Sequence, residues 1–512
     1  MSNTAENNKR IAKNTLLLYI RMLFSMAVSL YTSRVVLSVL GVIDYGINNV
    51  VGGIVIMFAF LNSTMSVSTQ RFLSFDIGRN DEQMINKTFN IAFVIHLGLG
   101  LVVLLLGETI GLWFLYNKIN LPPDRMEAAL WIYHFSILSF LFNVTQVPYS
   151  ACINSHEKMD VYAYFSIVDV VARLIIVFLL QLIDVDKLKL YAVLQFFVSI
   201  SIQSVYRIYC IRNFPEVKLC RTWDRQRFRE MLSFAGWNTI AHFSFMARTQ
   251  GVNILLNMFF GPTLNAARGI AVTVFTQVSA FVNNFVSAMN PQIVKYFAAG
   301  DLLSMHKLIT RGSKYSFFLL FFLAFPLLLE TNFVLTIWLK NPPEWSVLFC
   351  KLILCSALID SLTSVIAYGT LATGNVKVYQ IVMSILFLLV PILTYFSYMF
   401  GAPPETCVYL EILAYIVAVV LRPFLLGKNT GYKLSSFAKE SLLKDLLVVI
   451  FSSPIPYALH SLMENGWLRF FVVCIACVIC TGISICFVGF GRSEREKIKV
   501  LVEKKFTSKK KI

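Results

Sequence analysis

Phe89-Asn-Ile-Ala-Phe-Val-Ile-His-Leu-Gly-Leu-Gly-Leu-Val-Val-Leu-Leu-Leu-Gly-Glu-Thr-Ile-Gly-Leu-Trp-Phe-Leu115 carries one charged side chain, Glu108. A helix needs about 20 apolar residues to cross ~30 Å of hydrocarbon, and this run supplies them. Gly98 and Gly100 lie inside it as packing glycines rather than a nucleotide loop, and no Walker-type sequence occurs in the chain. Similar runs follow one another along the 512 residues. Of these residues 57% are hydrophobic and only 14% charged, with a mean hydropathy of +0.69. Soluble domains carry roughly a quarter charged residues. The composition therefore describes an all-α integral membrane protein.

Fourteen spans are predicted, near 15–39, 46–68, 89–115, 127–150, 161–183, 190–211, 230–256, 263–290, 314–337, 346–371, 378–399, 406–427, 445–463 and 467–490. The net charge of +17 is not a nucleic-acid signal, because most of the 45 Lys and Arg fall in alternate loops and in the tail Arg492–Lys511. That asymmetry follows the positive-inside rule and predicts both termini in the cytoplasm. Trp113, Tyr116, Trp338, Trp345 and Trp467 then fall on the outer side, as an interfacial belt requires. The start of the chain has no small-residue cleavage site and carries Arg21 within its apolar run, so the first helix is expected to be retained.

The chain repeats itself. Ser68-Thr-Gln-Arg-Phe-Leu-Ser-Phe-Asp-Ile-Gly78 matches Asn290-Pro-Gln-Ile-Val-Lys-Tyr-Phe-Ala-Ala-Gly300 at Gln70/Gln292, Phe75/Phe297 and Gly78/Gly300. Gly41 pairs with Gly261 and Gly46 with Gly269 at nearly the same offset. A duplication of six helices predicts two parallel bundles related by an axis along the membrane normal. The expected domains are an N-terminal lobe 1–211, a basic linker 212–229, a C-terminal lobe 230–428, appended helices 429–490 and a basic tail 491–512. The outer loops are too short to house a sugar-transfer site, which argues against an enzyme.

Charges at bilayer depth cost at least ~2.5–3.5 kcal/mol each and need a reason. Arg173 sits one turn after Asp169 and can pair with it. Arg34, Lys351 and Arg469 are near helix ends and can snorkel, as can Glu330. Arg21 shares a helical face with Ser25, Arg268 shares one with Ser279 and Asn283, and Asn253 lies on a polar stripe with Asn238, His242, Thr249 and Asn257. Arg248 points away from that stripe. The substrate-cavity candidates are therefore Arg21, Arg268, Arg248, Ser25, Asn253 and Asn283. Two readings stand for the arginines: a cationic cavity for an anionic head group, or packing ties between helices. His96, His134 and His242 read as hydrogen-bonded packing residues rather than a proton relay. Cys474, Cys477 and Cys480 have metal-type spacing but lie in an apolar helix without a fourth polar ligand, so no metal site is expected.

Gly41-Val-Ile-Asp-Tyr-Gly-Ile-Asn-Asn-Val-Val-Gly-Gly53, Ser68–Gly78, Ala235-Gly-Trp-Asn238, Gly261-Pro-Thr-Leu-Asn-Ala-Ala-Arg-Gly-Ile-Ala271 and Asn290–Asp301 resemble the polysaccharide transporter family of Wzx-type O-antigen flippases. That family belongs to the multidrug/oligosaccharidyl-lipid/polysaccharide exporter superfamily. The resemblance implies two six-helix bundles working by alternating access in a bacterial inner membrane. Its implied cargo is undecaprenyl-pyrophosphate carrying an oligosaccharide, with glycosyltransferases and a polysaccharide polymerase as neighbours. It also implies no nucleic-acid partner and a monomer among membrane lipids. No cofactor is implied, and proton or sodium coupling is left open. A multidrug organic-cation antiporter and a lipid II flippase are alternatives in the same superfamily; a membrane-bound polymerase or glycosyltransferase is the alternative of another class.

Overall fold

In the computed structural model, residues 2–58, 65–66, 68–70, 72–73, 76–77, 81–156, 158–183, 185–220, 223–375, 377–491 and 494–496 are described, and all regular structure among them is helical. Side chains of residues 2–22, 154, 159–160, 162–163, 234–242, 287–288, 291, 294–295 and 298 lie outside the description. The principal helices are α1 (Ser2–Ile56), α2 (Glu82–Leu106), α3 (Leu112–Lys118), α4 (Met126–Ser155), α5 (Met159–Leu182), α6 (Lys187–Asn213), α7 (Arg225–Phe260), α8 (Pro262–Ala298) and α9 (Leu302–Leu339). They are followed by α10 (Ser346–Ser361), α11 (Ser364–Ala372), α12 (Lys377–Met399), α13 (Thr406–Thr430), α14 (Leu434–Phe437), α15 (Leu443–Ser452), α16 (Pro454–Leu462) and α17 (Trp467–Ser484).

Eleven described helices are long and apolar enough to cross a membrane, or 12 if the bent pair α10–α11 is one span. The chain is a multi-pass membrane protein. The two other spans expected from sequence differ in how they appear. The described part of span 46–68 follows the first span across a break in α1 at Gly41 (φ 78, ψ 171), and span 230–256 falls on α7, where much of the side-chain description is missing.

Lipid inverts the usual burial rule. Leu97, Leu101, Leu105, Ile110 and Trp113 on α2–α3 are exposed, while Asn90, Ile95, His96 and Val103 on the same rod are buried. A five-residue π turn at Gly107–Gly111 separates α2 from α3, and the Tyr133 hydroxyl donates to the Gly107 carbonyl there at 2.7 Å. Two of the three histidines expected within spans are described. His96 Nδ1 bonds the Ala92 carbonyl of its own helix at 2.7 Å, and His134 Nδ1 bonds Glu108 at 3.1 Å. The side chain of His242 lies outside the description.

Contacts divide the chain into two compact units. The first holds Met1–Ile270, Pro343–Trp345 and Met383–Cys407. Besides the stretch 1–211 it holds α7, the first turns of α8 and most of α12. Glycines explain the approach. A Cβ at Gly46 would lie 1.9 Å from the Pro262 carbonyl oxygen, and one at Gly269 would lie 2.9 Å from the Asn49 side chain. Gly46 and Gly269, paired by the sequence comparison, both stand at this approach of α1 to α8.

The second unit holds Ala271–Pro342, Ser346–Val382 and Val408–Ile512. Its core runs through Val278, Ile309, Phe321, Leu354, Val365, Leu426 and Val473. Two of its buried charges are neutralised by ion pairs. Arg422 Nη1 donates to Asp360 at 2.8 Å and to Thr363 at 3.0 Å. Glu330 has a side chain 0% exposed and accepts from Arg469 at 2.9 Å and from His460 at 2.8 Å. Glu330 and Arg469 therefore pair with each other instead of snorkelling to separate interfaces. Removing one partner of such a pair strands the other charge in a low dielectric, which is why they occur together.

Candidate functional site: a polar pocket in the first unit

Within the first unit, α1, α4, α5 and α6 surround a cavity of about 490 Å³. That is a ligand-sized volume. Helix α1 supplies Asn48, Asn49, Gly52 and Gly53; Gly52 leaves room beside it, whereas a Cβ at Gly53 would lie 2.8 Å from Gln250 Oε1. Helix α4 supplies Ser136, Ser139 and Asn143 at helical spacing on one face. Tyr191, Gln195, Ser199 and Gln203 repeat every four residues down α6 and line the opposite wall. Phe135 and Phe140 add apolar faces.

Arg173 is the one cation in the lining, and no carboxylate stands there among the described residues. Its guanidinium is fixed on both sides. Nε donates to Asp169 at 3.1 Å, as the one-turn spacing predicts, and Nη1 donates to Gln195 Oε1 at 2.6 Å. The pair leaves little net charge at the wall. Gln203 Oε1 is buried with no hydrogen-bond partner among the described residues. A buried acceptor without a partner costs about 1–3 kcal/mol, so a donor brought by a ligand would relieve it. The arrangement can hold a neutral molecule rich in hydroxyls, since amides and hydroxyls each donate and accept.

The residues singled out from sequence go to other places. The side chain of Arg21 lies outside the described residues. Ser25 is half-buried on α1 and Asn283 is exposed on α8. Arg248 is 4% exposed and lies over the rings of Phe245 and Phe387, at 5.1 and 4.7 Å from their centroids. Asn253 joins an amide chain in which its Nδ2 donates to the Asn49 carbonyl at 3.2 Å and its own carbonyl accepts from Asn265 at 2.6 Å. Arg268 is 6% exposed near the start of α8, and its Nε makes no hydrogen bond among the described residues.

Sequence reading missed the pocket because its members are neutral. A search for costly charges finds Arg173 and then explains it away by Asp169. The available signal was the four-residue repeat Tyr191, Gln195, Ser199, Gln203 along one face of α6.

A second missed group explains the motif Ser68–Gly78. Asp76, 2% exposed, accepts from Thr88 Oγ1 at 2.6 Å and is gripped by Arg227 at the start of α7. Ser68 Oγ donates to the Met231 carbonyl at 2.9 Å. The motif therefore fastens the segment after α1 to the first turns of α7.

Neither a family model nor a curated protein matches the sequence. Solved structures do match the fold. The lipid II flippase MurJ, in an inward closed conformation, aligns with a TM-score of 0.67 at 15% identity, over 92% of this chain and 98% of that one. An inward-facing multidrug resistance MATE family transporter of the MOP superfamily aligns at 0.64 and 12% identity, over 80% and 99%. The MATE multidrug transporter DinF-BH aligns at 0.58 and 15% identity, over 82% and 97%. The fold is that of MOP superfamily transporters.

Proposed function

We propose that this chain is a flippase that carries an undecaprenyl-pyrophosphate-linked oligosaccharide from the inner to the outer leaflet of a bacterial inner membrane. Both termini would then face the cytoplasm, and the six-helix repeats would act as lobes in alternating access. The observation that carries the reading is the chemistry of the pocket. Nine amide or hydroxyl side chains (Asn48, Asn49, Ser136, Ser139, Asn143, Tyr191, Gln195, Ser199, Gln203) line it without a carboxylate. Sugar hydroxyls both donate and accept, which matches those groups. An organic cation would instead call for a buried carboxylate to compensate its charge. The multidrug antiporter reading is weaker for that reason, although MATE transporters share the fold.

The pyrophosphate needs cations, and Arg21 and Arg268 remain the proposed ones, because arginine presents a planar fork of donors suited to phosphate oxygens. A membrane potential negative inside assists outward movement by ~2.3 kcal/mol per charge per 100 mV. Glycosyltransferases and a polymerase would supply and consume the cargo.

The test is deletion of the gene in its own host and complementation, with surface polysaccharide normalised to protein abundance. Deletion should trap the lipid-linked oligosaccharide on the inner leaflet. Gln195→Ala, Gln203→Ala, Arg21→Ala and Arg268→Ala should each lower export at normal abundance. A deletion strain with normal surface polysaccharide that is sensitive to cationic dyes would replace the flippase reading with the antiporter. Arrest of murein synthesis would replace the cargo with lipid II.

A further inference from the structure

At the end of the first unit where α6 gives way to α7, three metal-type ligands converge from distant parts of the chain. Cys152 and His156 are one helical turn apart at the end of α4, and Glu216 stands in the turn after α6. Cys Sγ, a His ring nitrogen and a Glu carboxylate oxygen all lie within 4.8 Å of one another. Ligands around tetrahedral zinc, with bonds of about 2.0–2.3 Å, stand roughly 3.5 Å apart, so only small side-chain rotations separate this set from coordination.

Each ligand is positioned before any ion arrives. Cys152 is 0% exposed, and the Glu216 side chain is 8% exposed. His156 Nε2 bonds Glu216, and its ring stacks on Phe214 at 4.4 Å with an 11° interplanar angle. The turn that carries Glu216 is held by Asn86, whose Nδ2 donates to the Glu216 carbonyl at 2.7 Å and to the Lys218 carbonyl at 2.8 Å. The neighbouring thiol, Cys210, is engaged elsewhere: its Sγ donates to the Tyr149 carbonyl at 3.4 Å. That leaves three protein ligands and a fourth position for water.

We propose that Cys152, His156 and Glu216 bind a divalent transition-metal ion, zinc by preference, that pins the end of α4 to the turn after α6. The thiolate–imidazole–carboxylate set favours zinc over magnesium or calcium, which take all-oxygen shells. On binding, the Cys152 thiol loses its proton to solvent as the sulfur–metal bond forms, and His156 exchanges its bond to Glu216 for one to the ion. Nothing in this step depends on what the protein transports.

The experiment uses full-length protein purified in detergent through a streptavidin-binding tag, so that no polyhistidine contributes metal. Elemental analysis should find about one zinc per chain. Stripping with chelator and adding Co²⁺ should give a thiolate-to-cobalt charge-transfer band. The band should vanish in Cys152→Ala and persist in Cys350→Ala, a buried cysteine of the second unit. His156→Gln, at a partly exposed position where folding is less at risk, should weaken Co²⁺ binding by ~10-fold or more, with a matching loss of the thermal shift that zinc gives the wild type. A folded wild-type protein that takes up neither ion, or a cobalt band unchanged in Cys152→Ala, would overturn the proposal.

Discussion

The segments Gly41–Asp81 and Gly261–Asp301 lie 220 residues apart and use the same backbone devices. Gly41 sits at φ 78, ψ 171 and Gly261 at φ 83, ψ −178, a conformation closed to L side chains without strain. Forty residues on, Asp81 accepts from the Met84 N–H and Asp301 from the Ser304 N–H, both at 3.0 Å, capping α2 and α9. Each capping aspartate also returns its own N–H five residues back, to Asp76 at 3.4 Å and to Tyr296 at 3.0 Å.

Side chains then part company. The first segment carries Asp76, clamped by Arg227 and Thr88, where the second, at the 222-residue offset that pairs Phe75 with Phe297, has Ala298. The second instead joins an apolar core, with Phe297 packed against the cluster that holds Met305 and Ile309. The two segments share what the backbone needs and differ in what it does not. Turn geometry tolerates few residues, whereas a buried surface can be closed by an ion pair or by hydrocarbon.

The largest expected effect separates the two copies. Asp76→Ala should cost about 3 kcal/mol, because it leaves the half-buried Arg227 guanidinium, beside Phe72, with only Thr88 and the more distant Glu230 as partners among the described residues. A thermal melt followed by tryptophan fluorescence in detergent measures it. Arg227→Met on the same background should recover part of the loss. An unchanged melting temperature in Asp76→Ala would reduce the clamp to a surface contact and erase the contrast.

A middle-sized effect should unite the copies. Gly41→Ala and Gly261→Ala should each lose ~1–3 kcal/mol from backbone strain alone. No atom lies within 4 Å of an added Cβ at Gly41, and the nearest at Gly261 is 3.9 Å away. A large loss at one site and none at the other would mean that the shared φ is coincidental.

The smallest effect concerns the caps. Asp81→Ala and Asp301→Ala should lower the melting temperature slightly and by similar amounts. The Ser304 hydroxyl and N–H hold the Asp301 carboxyl below the usual carboxylate range. A folded pKa below the unfolded one contributes stability at neutral pH, which is lost as pH falls through the folded value. The gap between Asp301→Ala and wild type should therefore close in acid. A gap that widened in acid would assign the effect to something other than the cap.

The sequence by itself determined the membrane, the helical class and the matched glycines, because each follows from local rules of span length, charge placement and backbone freedom. It also exposed Arg173–Asp169, a pair one turn apart. Only the tertiary structure decided which distant groups meet. Arg422 joins Asp360 and Arg469 joins Glu330 across long stretches of chain. The same is true of Cys152, His156 and Glu216, and of the four helices around the polar pocket. Periodicity reports which face of a helix is polar and is silent about which other face it meets. In a membrane, nearly every polar face must meet another, so the choice of partner belongs to packing.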